Sequence, residues 1–386
     1  MSFFVDYATD SLNKAGEELC GDTVEFFRSD SNAIAVMSDG LGSGVKANIL
    51  ATLTAKIAIT MLKEGLHIEE VVDTIAHTLP VCNVRKLAYA TFTIVKVDNN
   101  GTVYAAEFDN PSLFLIRNGK VEKLDGTTIE INERKIKESI FKLQEDDILI
   151  LVSDGVVHAG VGTVLSLGWR WEEIAEFIEK MPLKKMSAKD IMNKILTTCD
   201  NLYLKKPGDD ATVSVMKLVK PKEVTMFSGP PKNHNKDSEI IRDLMRATGQ
   251  KIICGGTASN IACRELNREL NIDMEYVNKE IPPIGYINGI DLVTEGVLTI
   301  KATIERLKKI KLSMDFSALD GDDGSSKLAK LLYENCTHLK MLVGTAVNPA
   351  HQNPSFPEEL SIKYKLLMEL EDIMKSLGKV VEVKYY

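Results

Sequence analysis

The sequence predicts an α+β fold with largely antiparallel sheets for residues 1–220 and a smaller α/β domain for residues 221–386. Three observations carry that prediction. In the first part, short apolar runs follow one another across hairpin turns, and helical patterns come in pairs. Around 219–236, Lys220-Pro221-Lys222, Gly229-Pro230-Pro231 and Asn233-His234-Asn235 concentrate turn residues, as a boundary does. Beyond it, helix and strand patterns alternate, as they do in α/β units.

Each element has a local reason. The run NAIAVMS at 32–38 reads as a buried strand. Between 46 and 62, Ile49, Leu53, Ile57 and Met61 recur at helical spacing. A second helix at 68–79 turns Val71, Val72 and Ile75 inward and ends at Pro80. Strands at 88–97, 102–108 and 113–117 follow, with Asn99-Asn100-Gly101 and Asn118-Gly119 as the turns. DILILVS at 147–153 is another buried strand, helices follow at 171–180 and 188–199, and ATVSVMKL at 211–218 closes the half. In the second half, helices are expected at 238–248, 259–270, 298–309, 327–335 and 362–377. Strands are expected there at 251–254, 273–277, 339–343 and 380–384.

A chain of 386 residues fits two or three domains at about 150 residues each. With 44% hydrophobic and 26% charged residues, it has the composition of an ordinary globular protein. The net charge of −8 argues against nucleic acid or an anionic membrane surface as a partner. The N-terminus lacks the basic and apolar regions of a signal peptide, and no window holds about 18 uninterrupted apolar residues. The six cysteines form no CxxC pair, which points to free thiols and a cytoplasmic location.

The chemistry lies in aspartates at strand ends. Asp39-Gly40 follows AIAVMS, Asp154-Gly155 follows DILILVS, Asp209-Asp210 precedes ATVSVMKL, and Gly21-Asp22 precedes a strand-like run at 23–27. Each pair alone reads as a turn or a solvated loop. Together they put carboxylates from distant parts of the chain on one rigid frame. Mg²⁺ and Mn²⁺ take a few such oxygens and keep several waters, and two ions about 4 Å apart are the device of two-metal phosphatases. A glycine after the aspartate lets the backbone approach an ion.

These residues also carry a family resemblance. GEELCGDTVEFF, VMSDGLGSGVKA, LVSDGV and PGDDATVSV occur in the order and spacing of the type 2C protein phosphatases. SDGLGSG followed by Lys46-Ala47, together with YATFTIVKVD and DNPSLFLIRNGKV, resembles the bacterial branch typified by stage II sporulation protein E. The resemblance covers about 6–218. It implies two antiparallel sheets packed face to face with helices outside, the metals at one end, and a serine/threonine protein phosphatase.

By position, it implies that Asp22, Asp39 and the Gly40 carbonyl hold one Mn²⁺ or Mg²⁺. Asp39 bridges to a second ion, completed by Asp154 and Asp209, and Asp210 stands where it could share that role. The ions neutralise the phosphate and activate a water, so no cysteine or serine nucleophile is needed. No arginine stands just upstream of Asp22. Lys14 is the nearest cation, and reads either as a phosphate contact or as a solvated lysine. His158 reads as a structural residue, and no general acid is assigned.

The implied partner is a phosphorylated protein, by analogy with the family a small anti-sigma-factor antagonist. For the second domain, regulation, recognition or homodimer formation is expected. Its Cys254-Gly255-Gly256-Thr257-Ala258-Ser259-Asn260 follows a strand and opens a helix, read as a structural turn or a ligand site. Asp320-Gly321-Asp322-Asp323-Gly324 reads as a loop and helix cap rather than a calcium loop. The competing function is a non-catalytic phosphoprotein-binding or ligand-sensing regulator on the same fold.

Overall fold

The computed structural model describes residues 3–29, 31–78, 90–131, 134–273, 281–313, 316–346 and 362–386. The chain divides into two compact units, Met1–Lys220 and Pro221–Tyr386.

The first unit begins with β1 (Phe4–Leu12), β2 (Asp22–Arg28), β3 (Asn32–Gly40), α1 (Gly44–Lys63) and α2 (Ile68–Thr78). Then come β4 (Ala90–Asp98), β5 (Thr102–Phe108), β6 (Phe114–Arg117), β7 (Lys120–Glu122), β8 (Thr127–Ile131), β9 (Arg134–Lys142) and β10 (Ile148–Val152). The short α3 (Asp154–Val157), α4 (Trp171–Glu179), α5 (Ala188–Leu202) and β11 (Ala211–Val219) complete it. Among the described residues, the strands form two antiparallel sheets, ordered β1-β11-β10-β6-β7 and β2-β3-β4-β5-β9-β8.

The alternation of side chains along each strand builds four layers. Ala33, Ala35 and Met37 of β3 face Leu149, Leu151 and Met216 of the other sheet across the sandwich interior. The alternate residues Ile34 and Val36 face outward onto Ala55, Ala58 and Leu62 of α1 and Val71 and Val72 of α2. On the other side Ile148, Ile150, Val213 and Val215 meet Ile174 of α4 and Ile191 and Ile195 of α5. Both faces of the central strands are buried, which is why AIAVM and ILILV read as unbroken apolar runs. Asn118 and Gly119, both with positive φ, turn β6 into β7.

Several expectations need correction or fall elsewhere. β1, β8 and β9 were not expected: FVDYATDSL and RKIKESIFK interleave charges with apolar residues and lie toward the sheet margins. Pro80, Cys82 and the start of the strand expected at 88–97 lie outside the described residues. By length and composition alone, α1 is apolar enough to cross a membrane, although Lys46 and Lys56 interrupt it and it holds no 18 unbroken apolar residues. Its inward residues Ala47, Ala51, Ala55 and Ala58 are buried against the sandwich, while Val45, Ile49 and Leu53 form an exposed row.

The second unit comprises β12 (Glu223–Ser228), α6 (Asp237–Arg246), β13 (Gln250–Cys254), α7 (Gly256–Leu266), β14 (Asn271–Ile272), β15 (Gly285–Tyr286) and β16 (Leu292–Thr294). After these come α8 (Val297–Ser313), α9 (Gly324–Glu334), β17 (His338–Val343), α10 (Ile362–Ser376) and β18 (Val380–Tyr385). β16, β13, β12, β17 and β18 run parallel in that order, with β15 and β14 antiparallel at one margin. Helices α6 and α7 cover one face, through Ile240, Leu244 and Ile261. Helices α8, α9 and α10 cover the other, through Ile304, Leu332 and Leu370.

The chief correction is β12. The stretch 219–236 was read as a boundary loop, yet Glu223–Ser228 is the middle one of the five parallel strands of this sheet. Proline and glycine on both sides mask a six-residue strand. Of the strand expected at 273–277, residues 274–277 lie outside the described residues. Asp323 caps α9, accepting from the Ser325 and Ser326 amides, as the sequence suggested.

Candidate metal centre

The antiparallel pairing of β2 with β3 sets Asp22 directly opposite Asp39. Asp154 opens α3 just beyond β10, and Asp209-Asp210 immediately precedes β11, the neighbour of β10. Asp22, Asp39 and Asp154 thus come to one end of the sandwich from three strand termini, with Asp209 at a fourth. The Asp39 and Asp154 carboxyls lie within hydrogen-bonding reach of each other.

Their electrostatics report the same convergence. Burial, then the charges of Asp22, Asp154 and Asp209, pushes the Asp39 carboxyl up to about 9. Burial pushes Asp22 up to about 7, against a hydrogen bond from Thr212. Burial and then Asp209 raise Asp154. These carboxylates raise one another, and a divalent ion between them would reverse the sign of that interaction.

Packing explains the glycines. A Cβ on Gly40 would stand 2.0 Å from the Ala47 carbonyl oxygen, and one on Gly155 would stand 2.0 Å from the Asp210 carbonyl oxygen. Each Asp-Gly pair is therefore pressed against the backbone of another element. Tyr203 adds a buried hydrogen bond from its hydroxyl to the Gly155 carbonyl at 2.7 Å.

Asp210 does a different job from its neighbours. Its Oδ1 accepts the Lys14 amide at 2.9 Å and its Oδ2 accepts the Gly21 amide at 2.9 Å. It clamps both ends of the 14–21 loop beside Asp22. The more exposed Asp209 accepts the Asp210 amide, and the Lys14 ammonium stands 3.5 Å from its Oδ1. His158 is exposed at the end of α3 and its charge acts on Asp154.

Thr212 was missed in the sequence because a threonine in a strand reads only as a β-former. Its hydroxyl donates to Asp22 Oδ2 at 2.7 Å and pairs with the Ser11 hydroxyl at 2.8 Å, while its amide donates to Ser153 Oγ. Asp22 Oδ1 is buried with no hydrogen-bond partner.

An orphaned buried carboxylate oxygen, an all-oxygen donor set and close-packed glycine backbone fit a hard divalent cation. Among the described residues, no three His, Cys, Asp or Glu side chains are drawn together tightly enough to enclose an ion unaided.

Residues 29–219 match the family model of stage II sporulation protein E. No curated protein matches the chain. Among solved structures, the chain is similar to the phosphatase domain of the cell fate determinant SpoIIE from Bacillus subtilis. The identity is 19%, the TM-score 0.43, and the match covers 57% of this chain and 94% of that one. A second SpoIIE structure, with the phosphatase domain and a fragment of the regulatory domain, gives 21% identity and a TM-score of 0.48, covering 56% of this chain and 64% of that one. A structure of RsbX in complex with magnesium gives 18% identity and a TM-score of 0.41, covering 55% and 95%. The family model spans β3 to β11, so residues 29–219 of the first unit are similar to the stage II sporulation protein E family, and three of the strand-end aspartate sites fall within the matched stretch.

Proposed function

We propose that the chain is a metal-dependent serine/threonine protein phosphatase whose active centre is the carboxylate cluster of the first unit. One observation carries this reading: Asp39 is half-buried and faces the charges of Asp22, Asp154 and Asp209. A carboxylate so placed is the natural bridge between two cations.

Asp22 and the Gly40 carbonyl would hold one Mn²⁺ or Mg²⁺, Asp154 and Asp209 the other, and Asp39 both. Such ions supply positive charge for a phosphomonoester and acidify a water to serve as nucleophile. Thr212 fixes Asp22 through Oδ2 and leaves Oδ1 free to face a cation. Asp210, with both oxygens on backbone amides, keeps the 14–21 loop against the site. Lys14 thereby stands at the rim beside Asp209, where an ammonium meets an incoming phosphate.

The substrate is a phosphorylated protein, of the anti-sigma-factor-antagonist kind by analogy, met in the cytoplasm. The chemistry resides in the first unit, so a chain ending at Lys220 hydrolyses an aryl phosphate, and the second unit tunes action on phosphoproteins. The test of function is phosphate release from a phosphoserine peptide. Release with Mn²⁺, abolished by chelation and restored by re-adding the ion, supports the reading. Release indifferent to exhaustive chelation overturns it, and no release under any metal favours the non-catalytic regulator.

A further inference from the structure

We propose that the second unit carries a separate binding site for a small hydroxylated phosphomonoester of mononucleotide size, in the cavity at the carboxyl ends of β12, β13 and β16. The cavity measures about 340 Å³, toward the small end of ligand sites. It lies where open α/β sheets bind ligands. The parallel strand order β16-β13-β12-β17-β18 is 3-2-1-4-5 in chain order, so the connections reverse direction at β12. Loops diverge at such a point and leave a crevice. Ser228-Gly229-Pro230 after β12 and Ala346 beyond β17 line the cavity on either side of this reversal.

Lys363, from the first turn of α10, supplies the charge. A Cβ on Gly229 would lie 1.3 Å from its Nζ, so the ammonium occupies the place of a side chain at 229. Among the described residues, no carboxylate lies within ion-pair distance of it. Burial pulls this ammonium down to about 8, a cost that a bound anion offsets.

Gly255-Gly256-Thr257-Ala258 gives the cavity its donors. Gly255, with φ of 123°, needs to be glycine. Gly256 does not: its φ is outside the left-handed region, and a Cβ there would meet nothing within 4 Å. Neither backbone strain nor packing explains a second glycine at the first position of α7. An open approach to the amides of that turn does. No side chain caps α7, and its first turn holds no acidic residue. By contrast α8, which also starts at the cavity, is already served by Glu295, whose Oε2 accepts the Leu298 amide. The phosphate therefore belongs at α7, between its amides and Lys363. Glu295, also in the lining, is an acceptor for ligand hydroxyls, while Pro230, Val297 and Ala346 offer apolar walls.

The test is calorimetric titration of the full chain, with EDTA present to silence the first unit. The probes are adenosine and guanosine 5′-monophosphate, ribose 5-phosphate and unphosphorylated adenosine. At least one phosphorylated probe should bind with Kd below about 1 mM, and adenosine should not. Gly256→Asp sets a carboxylate in open space at the α7 terminus. It should weaken binding at least about tenfold while leaving the unfolding midpoint of the free protein unchanged. Lys363→Gln should weaken binding similarly; if that variant fails to fold, Gly256→Asp decides alone. The proposal is overturned if no phosphorylated probe binds up to about 10 mM. Binding indifferent to Gly256→Asp, or adenosine binding as tightly as its phosphate, also overturns it.

Discussion

The two units of this chain collect opposite charge at the ends of their strands, and their sheet types explain why. In the antiparallel sandwich, the starts of β2 and β11 and the ends of β3 and β10 come to the same margin, so carboxylates from four separate segments meet there. In the parallel sheet, strand carboxyl ends share one margin with the amino ends of the helices that follow them. That margin offers amides and positive helix ends, and its charged side chains are Lys363 and Glu295, the latter accepting the Leu298 amide of α8. The first arrangement calls for cations and the second for an anion.

The largest expected effect breaks the first half of this contrast. Asp39→Asn removes a charge without changing volume, at a site where carboxylates repel. Turnover of a phosphoserine peptide should fall at least about a hundredfold. The unfolding midpoint without metal should hold or rise, because one of several mutually repelling carboxylates is gone. A midpoint that collapses would mean that Asp39 is structural.

A second pair of variants sets glycine against glycine. Gly40→Ala drives a Cβ into the Ala47 carbonyl, whose carbon and Cα lie at 2.6 and 2.8 Å, so only backbone can yield. It should cost about 3 kcal/mol in urea unfolding, with loss of activity. Gly256→Ala enters open space and should stay within about 0.5 kcal/mol of the parent. Equal costs at the two positions would erase the distinction between a glycine demanded by packing and one left open for a ligand.

Smaller again is Thr212→Val, which keeps the shape but strips the hydroxyl from Asp22 Oδ2. It should cost about 1–3 kcal/mol in stability and raise the Mn²⁺ concentration needed for half-maximal activity. An unchanged metal requirement would mean that Thr212 does not orient Asp22.

The site was legible in the sequence where its logic is local. Asp-Gly after an apolar run marks a strand end, so Asp39 and Asp154 could be read directly. The role of Asp210 could not. Beside Asp209 it looks like another ligand, and only the fold reveals its amide partners, 196 and 189 residues away in sequence. Tyr203 and Thr212 were invisible for the same reason. In the fold, the central strands of the sandwich were readable because burial on both faces makes them continuously apolar. The charged β9 and the half-polar β1 were not. β12 escaped because turn residues crowd it on both sides, although its own run EVTMFS is almost wholly buried.

The least dramatic expectation concerns cysteine. Burial pushes the thiols of Cys199, Cys254 and Cys336 up to about 12. A thiol reacts as thiolate, so at pH 8, well below that value, these three should resist alkylation in the native chain and react on unfolding. Peptide mapping after iodoacetamide treatment checks this. Rapid native labelling of Cys254 would show that the cavity margin of the second unit opens more than the fold implies.

The central claim, that strand-end carboxylates build a divalent-cation centre, is tested most directly by Mn²⁺ binding itself. Titration followed by electron paramagnetic resonance should show two Mn²⁺ taken up per chain, with the coupled signal of neighbouring ions. In Asp39→Asn that coupling should vanish and affinity should fall at least about tenfold. Failure of the parent chain to bind Mn²⁺ at millimolar concentration, or a coupled pair that persists without the Asp39 carboxylate, would contradict the account.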